Sequence, residues 1–244
     1  MGAASERYFL SATQIRADGL DLMLRGIIGP TVHVKTAREG IQEEFLAEPE
    51  FRMHMVESSC PTHAKDSLAQ NRLHLIKNKH LHKIAARLAN VAWEKTQRPV
   101  LILVAELSQV PMLAEHLKHE FQVAHGGSGE GSMKHLPPEF RNPDNEKLVR
   151  LHNQGKLPIL IGTKAVAVGT DFQTVGTLFY LMGLGAEVQL RQAIGRGTRR
   201  PEGKTKFVFN DFCVCNVPDL CHHADIRREI YKDIWAEPEE YKWH

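Results

Sequence analysis

The sequence contains no G-x-x-x-x-G-K-[S/T] loop and no G-x-G-x-x-G turn after a strand, so two familiar backbone cradles for a nucleotide's phosphates are missing. It has no run of about 18 apolar residues that would cross a bilayer, and Met1-Gly2-Ala3-Ala4-Ser5 lacks the basic and apolar segments of a signal peptide. Four cysteines in 244 residues, Cys60 standing alone, make no disulfide framework, and a reducing compartment is the simpler expectation. Excess charge of one sign is absent too. Lys and Arg number 31 against 29 Asp and Glu, so any affinity for a polyanion must arise from local clusters. The expected location is intracellular, with no membrane partner. At 42% hydrophobic and 25% charged residues, the composition is that of a globular protein of one large domain or two small ones.

What is present is uneven. Between Arg38 and Glu57 six acidic residues face two basic ones, whereas Arg72, Lys77, Lys79, Lys83 and Arg87 follow with no acid among them. Leu73, Ile76, Ile84, Leu88 and Val91 recur there at helical spacing, which predicts an amphipathic helix with a solvated basic face; a phosphate-facing surface is the alternative. Fourteen histidines include His80, His82, His116 and His119, which read as surface groups that gain charge below about pH 6.5.

From Pro99 onward strand-like and helix-like segments alternate. Val100–Val104 is a continuous β-rich apolar run, as a strand covered on both faces requires. Ser108 offers an N-cap to a helix carrying Val110, Leu113, Ala114 and Leu117, with Pro111 in its first turn. His125–Gly129 reads as a loop; a helix is expected at 145–153, strands at 159–161, 178–182 and 207–212, and a further helix from Glu187. Repeated units of this kind predict right-handed crossovers and a parallel sheet covered by helices.

Three segments carry chemistry. In Gln189-Leu-Arg-Gln192-Ala-Ile-Gly195-Arg196-Gly-Thr-Arg199-Arg200, helical spacing would put Gln189, Gln192, Arg196 and Arg199 on one face, unless the glycines end the helix early. Two arginines so placed would clamp phosphate oxygens and stabilise charge developing on a phosphoryl group; a surface cluster paired with carboxylates is the plainer reading. Gly162-Thr163-Lys164 ends a predicted strand where open α/β sheets bind ligands, and Gly169 and Asp171 fall at the next turn. Tyr8–Thr13 reads as a short strand ending in two hydroxyls.

In this order the segments resemble the second RecA-like domain of superfamily 2 helicases and translocases. Ser11-Ala12-Thr13 is similar to that family's motif III, Val100–Ala105 to motif IV, Ile161–Phe172 to motif V and Gln192–Arg199 to motif VI, over nearly the whole chain. Ile27-Ile28-Gly29-Pro30 resembles phage DNA helicases, and Ile194–Arg199 the motor subunits of type I restriction enzymes. The resemblance implies a RecA-like three-layer α/β domain with a mostly parallel sheet, residues 31–244, preceded by the end of a first RecA-like domain or linker, residues 1–30, and finishing in a helical tail.

It also implies site residues. Arg196 and Arg199 would be arginine fingers, with Gln192 helping to sense the γ-phosphate and Gly169 and Asp171 bordering ATP. Thr163, Lys164 and the loop at Gly126 and Gly127 would meet a nucleic-acid backbone, and Ser11 and Thr13 would couple the two events. Mg²⁺ and most contacts to ATP belong to a first RecA-like domain, in cis or on a partner, so this chain is not expected to hydrolyse ATP alone and is expected to be part of a larger motor. DNA, single-stranded, duplex or branched, is preferred to RNA on the motif VI text. Ala193 departs from relatives with a long residue there, which weakens carry-over from the RNA-dependent branch.

Two other classes compete. The segments 72–87 and 191–206 could form a nucleic-acid binding module without motor action. Cys213, Cys215, Cys221, His222 and His223 are of zinc-ligating type, but their spacing matches no defensible pattern, and no metal is expected. Tyr231, Trp235, Tyr241 and Trp243 are expected to cover an apolar face.

Overall fold

The computed structural model describes residues 23, 26–27, 29–62, 64–126, 133–134, 136–167, 170–183 and 187–243. Seven strands, β1 (Glu48–Val56), β2 (Val100–Val104), β3 (Phe121–Ala124), β4 (Ile159–Thr163), β5 (Thr177–Leu181), β6 (Lys206–Val214) and β7 (Glu239–Trp243), form one sheet. Its order is β3-β4-β2-β5-β6-β1-β7, and every pairing among them is parallel. β2 and β5, in the middle, are buried at every position, which is why Val100–Val104 and Leu178–Leu181 are unbroken apolar runs.

Among the described residues the α-helices are α1 (Ala37–Gln42), α2 (Ser67–Asn71), α3 (Lys79–Thr96), α4 (Val110–Ala114), α5 (Asn145–Asn153), α6 (Lys164–Ala167), α7 (Glu187–Gly197) and α8 (Pro218–Ile234). One sheet face, with Phe51, Met53, Leu101, Leu160, Leu178 and Phe209, is covered by Val149 of α5, Leu190 and Ile194 of α7, and Ile230 and Tyr231 of α8. The other, with Val56, Ile102, Ile161, Phe179 and Phe212, is covered by Leu81, Ile84 and Ala85 of α3 and Val110 and Leu113 of α4. Two apolar layers on one parallel sheet make the three-layer α/β architecture that the sequence predicts.

The differences are local and have physical causes. The expected helix through 72–91 is broken: α2 runs into a π-helical turn at Arg72–Ile76, and α3 starts afresh where the Asn78 side chain accepts from Leu81 N at 3.1 Å. Ser108 is not an N-cap; it lies inside a 3₁₀ turn (Leu107–Gln109) and donates to the Glu106 carboxylate at 3.2 Å. β1 occupies what reads as an acidic stretch, with Glu48, Glu50 and Arg52 on its more open face and Phe51 and Met53 buried. Glu48 N donates to Thr205 O, so the nitrogen of Pro49, which carries no hydrogen, points to the side where β7 has not yet begun.

The tail is not wholly helical. After α8 it returns as β7, an edge strand beside β1, with Trp243 Nε1 donating to His54 Nδ1 at 3.1 Å. Tyr231 stacks on Phe51 at 4.6 Å between ring centroids, and Trp235 Nε1 donates to Glu48 at 3.2 Å.

Histidine divides differently from the expectation. His82 is buried, its Nδ1 donating to Asn78 O at 2.7 Å and its Nε2 accepting from Gln109 at 3.0 Å. Buried His152 donates from Nε2 to Val100 O at 3.1 Å. Burial lowers both to about 4, from an ordinary value of 6.5. Both are therefore neutral where an unfolded chain would bind protons, and the stability they contribute, complete above pH 6.5, is lost as pH falls towards 4. Unfolding at pH 5.5 should take up roughly two protons through these residues; the check is the pH dependence of urea unfolding in wild type against a His82→Asn, His152→Asn double variant. Identical slopes between pH 5 and 6.5 would contradict it.

Candidate nucleotide and nucleic-acid sites

α7 buries Leu190, Ala193 and Ile194 against the sheet and ends at Gly197. A Cβ on Gly197 would stand 2.0 Å from a ring carbon of Phe207, whereas one on Gly195 would meet nothing within 4 Å. The first glycine of Gly-Arg-Gly is thus open to a side chain and the second is closed. Beyond the helix the chain straightens: Thr198 O accepts from Ala47 N at 2.7 Å, and Arg199 forms an antiparallel bridge with Leu46. Gln192 and Arg196 follow each other along α7, but Arg199 has left it, so helical spacing does not explain the pairing of the arginines.

What pairs them is the chain at Thr170 and Asp171. Arg196 donates from Nη1 to Thr170 O, and Arg199 forms an ion pair with the Asp171 carboxylate. The same carboxylate accepts from Gln173 Nε2 at 2.9 Å, and Asp171 O accepts from Asn153, the last residue of α5, at 2.7 Å. Burial lowers the pKa of the Arg196 guanidinium from its ordinary value. The Arg199–Asp171 pair is about half exposed on both sides, 43% and 54%, so it contributes about 0–1 kcal/mol. It holds Arg199 without committing it, and a phosphate could take the carboxylate's place at small cost.

These residues lie at the N-terminal edge of the sheet, since Asn153 precedes β4, Asp171 precedes β5 and Leu46 precedes β1. Thr163, Lys164 and Gly126 lie at the opposite edge: Thr163 ends β4 half-buried, Lys164 begins α6 exposed, and exposed Gly126 follows β3. A five-residue strand separates the edges by roughly 16 Å. The nucleotide candidates and the nucleic-acid candidates thus form two groups, joined by the segment from Thr163 to Asp171. Gln192, half-buried on α7, sits one turn before Arg196. Gly127, Gly169, Ser11 and Thr13 lie outside the described residues.

Two features escaped sequence reading. Lys204 is buried, its ammonium donating to Gly197 O at the end of α7 and lying 5.7 Å from the Phe207 ring centroid. Burial, with the nearby Arg98 charge, lowers it to about 7. In the sequence it is one more cation of a basic run. The second is a buried network in which Arg227 donates to Asp211 at 2.7 Å and to Gly183 O, while Tyr231 OH donates to Asp211 at 2.8 Å. Burial alone would lower the pKa of Arg227, but the Asp211 carboxylate outweighs it and the net shift is upward. This network anchors the end of β5 from which the chain proceeds to α7. The only sequence signal was an acid inside an apolar strand.

The basic run 191–206 is largely neutralised internally. Arg191 pairs with Glu187 at 2.8 Å and Asp233 at 2.6 Å, Arg200 with Glu44 at 3.2 Å and Lys206 with Glu48 at 3.5 Å. Such carboxylate partners argue against a phosphate-tracking surface there. Among the described residues no group of three or more His, Cys, Asp and Glu stands together as metal ligands would. Cys213 is buried in β6, and Cys221 Sγ donates to Cys215 O at 3.1 Å. Among the described residues the two guanidiniums are of a kind that suits phosphate oxygens, and no side-chain cluster suits Mg²⁺.

The seven-stranded parallel sheet with helices on both faces is the architecture of a RecA-like α/β domain. The chain belongs to the helicase conserved C-terminal domain family, whose model matches residues 77–201, just over half of its length. Among curated proteins no sequence matches it. Among solved structures it is similar to Saccharomyces cerevisiae Dbp5 bound to RNA and ADP BeF3, with 18% identity and a TM-score of 0.58 over 95% of this chain and 50% of that one. A fragment of a putative HsdR subunit of a type I restriction enzyme from Vibrio vulnificus YJ016 gives 18% identity and a TM-score of 0.63 over 95% of this chain and 42% of that one. The C-terminal domain of the DEAD-box protein Dbp5 gives 17% and 0.51, with 82% of this chain and 92% of that one covered. At these identities the likeness is one of fold, and the chain spans about half the length of the first two structures.

The contact between Gly197 and Phe207 makes a paired prediction. Gly197→Ala should destabilise the domain by about 1–3 kcal/mol through overpacking, while Gly195→Ala should be neutral or slightly stabilising. Urea unfolding of the two variants checks this, and equal losses would contradict it.

Proposed function

We propose that the chain is the second motor domain of an ATP-dependent DNA helicase or translocase, supplying arginine fingers and part of the nucleic-acid track. The observation that carries this reading is the convergence of Arg196 and Arg199 on Thr170 and Asp171, at one end of a segment whose other end, Thr163, lies at the opposite edge of the sheet. On this reading the two guanidiniums stabilise charge that spreads over a phosphoryl group in transfer. Gln192 senses that group from the preceding turn of α7, and Asp171, with Gly169, borders the nucleotide and releases Arg199 when phosphate replaces its carboxylate. ATP with Mg²⁺ supplies the transferable phosphoryl group and is held mainly by a first RecA-like domain, in cis or on a partner.

Thr163, Lys164, Gly126 and Gly127 meet the nucleic-acid backbone without reading sequence. On this reading nucleic acid at Thr163 and nucleotide at Asp171 are coupled along the chain that joins them, and Ser11 and Thr13 add coupling from the first domain. DNA is proposed over RNA on the text of Ile194–Arg199, which resembles restriction motors; the HsdR fragment is from such an enzyme, whereas the Dbp5 structure is an RNA complex. A bacterial or phage-infected cytoplasm is the proposed location. The competing binding-module reading predicts affinity that ignores nucleotide.

The test is Arg196→Ala in a protein carrying both RecA-like halves. ATP binding should persist while DNA-stimulated hydrolysis falls by roughly 10³- to 10⁵-fold. Unchanged turnover would remove Arg196 from the role.

A further inference from the structure

From Ser67 to Trp93 the chain carries no Asp or Glu. Within this stretch α3 presents Lys79, Lys83 and Arg87 four residues apart along one side, with Lys77 just before its cap. Lys77, Lys79 and Arg87 are exposed and Lys83 is half-buried. Arg72 pairs with Glu106 from across the structure, but Lys77, Lys79, Lys83 and Arg87 make no ion pair with any described residue. The cations of 191–206 behave oppositely, with carboxylates facing Arg191, Arg199, Arg200 and Lys206. A helix with like charges four apart, and with Lys rather than acid in its first turn, runs against both its side-chain spacing and its dipole. An external anion removes that conflict.

The ridge is placed where a particular anion would pass. Asn78 Nδ2 donates to Glu57 O just beyond β1, and His82 meets Gln109, which in turn donates to Leu181 O at the end of β5. The first turn of α3 therefore stands at the C-terminal edge of the sheet, the edge of Thr163 and Gly126. β4, which ends in Thr163, is separated from β5 only by β2, so the lateral offset is roughly 10 Å and the step from sheet to helix layer about another 10 Å. Along α3 the cations repeat about every 6 Å, close to every second phosphate of a strand rising about 3.4 Å per nucleotide.

We infer that Lys77, Lys79, Lys83 and Arg87 form a second phosphate-binding track, over which a nucleic-acid strand continues after crossing the edge at Thr163. This rests on the proposed nucleic-acid reading of that edge. His82, buried and neutral beneath the ridge, adds no charge; the cations bind backbone and not bases, so the track is indifferent to sequence.

Fluorescence anisotropy of the chain with labelled single-stranded and duplex DNA and matched RNA, over a salt series, tests it. The comparison is wild type, Thr163→Ala, and a variant combining Lys79→Gln, Lys83→Gln and Arg87→Gln, two exposed positions and one half-buried. The triple variant should bind more weakly for every sequence, and the slope of log affinity against log salt should fall by roughly 2 to 3, at about 0.9 per lost duplex contact and 0.7 per single-strand contact. Unchanged affinity and slope in the triple variant, with Thr163→Ala weakened, would overturn the ridge and leave the edge standing. No salt-dependent binding by the wild type to any of the nucleic acids would overturn both. Equal displacement by polyglutamate of matched charge would assign the ridge to an acidic protein and overturn the nucleic-acid track.

Discussion

Two guanidinium groups hold the chain at Thr170 and Asp171 against the end of α7, and the packing around α7 is arranged so that they can. Arg196 reaches a backbone carbonyl from the helix, and Arg199 reaches a carboxylate from the strand-like segment beyond it. Neither contact contributes much stability: a half-exposed ion pair is worth about 0–1 kcal/mol. Their value is positional. They join the connection after β4 to the connection after β5, two loops that a parallel sheet otherwise leaves independent.

The geometry upstream explains why the arginines point where they do. Gly197 lies on the ring of Phe207, the carbonyl of Gly197 accepts from buried Lys204, and Thr198 bonds to Ala47, so the chain leaves α7 in one direction only. At the other end of the same helix, Arg227 grips the carbonyl of Gly183 while Asp211 and Tyr231 satisfy its charge. A buried charge network is weak evidence of stability, but here it fixes a loop. The segment bearing Arg196 and Arg199 is thereby anchored at both ends by buried cations that do not face the nucleotide themselves.

The central strands were legible because a strand buried on both faces must be apolar throughout, and 100–104 is. The helix at 145–153 was equally plain, down to its bounds. β1 does not show in a count of charges along the chain but in their parity: Glu48, Glu50 and Arg52 alternate with Pro49, Phe51 and Met53, a period of two that marks a strand. The return of the tail as β7 was not legible, since Glu239–Trp243 reads as exposed polar chain and owes its conformation to the edge of β1. At the candidate site, Arg196, Arg199 and Asp171 come forward by resemblance, but helical spacing would put Arg199 on a helix that ends at Gly197, before it. Nor did sequence separate the nucleotide group from the nucleic-acid group; that separation is a consequence of which edge of the sheet each loop leaves. Lys204 and Arg227 were hidden because nothing in a basic run marks which cation is buried.

On the proposed function this chain is one wall of a nucleotide site: it offers arginines, but its sequence has no phosphate loop and its described residues hold no ligand cluster for Mg²⁺. The most direct measurement is steady-state ATP hydrolysis by the chain alone, with Mg²⁺ and saturating single-stranded, duplex or forked DNA, or RNA. The account predicts no turnover above background under any of these conditions. Robust nucleic-acid-stimulated hydrolysis by the isolated chain would contradict it, because the phosphates would then be held by groups other than those described.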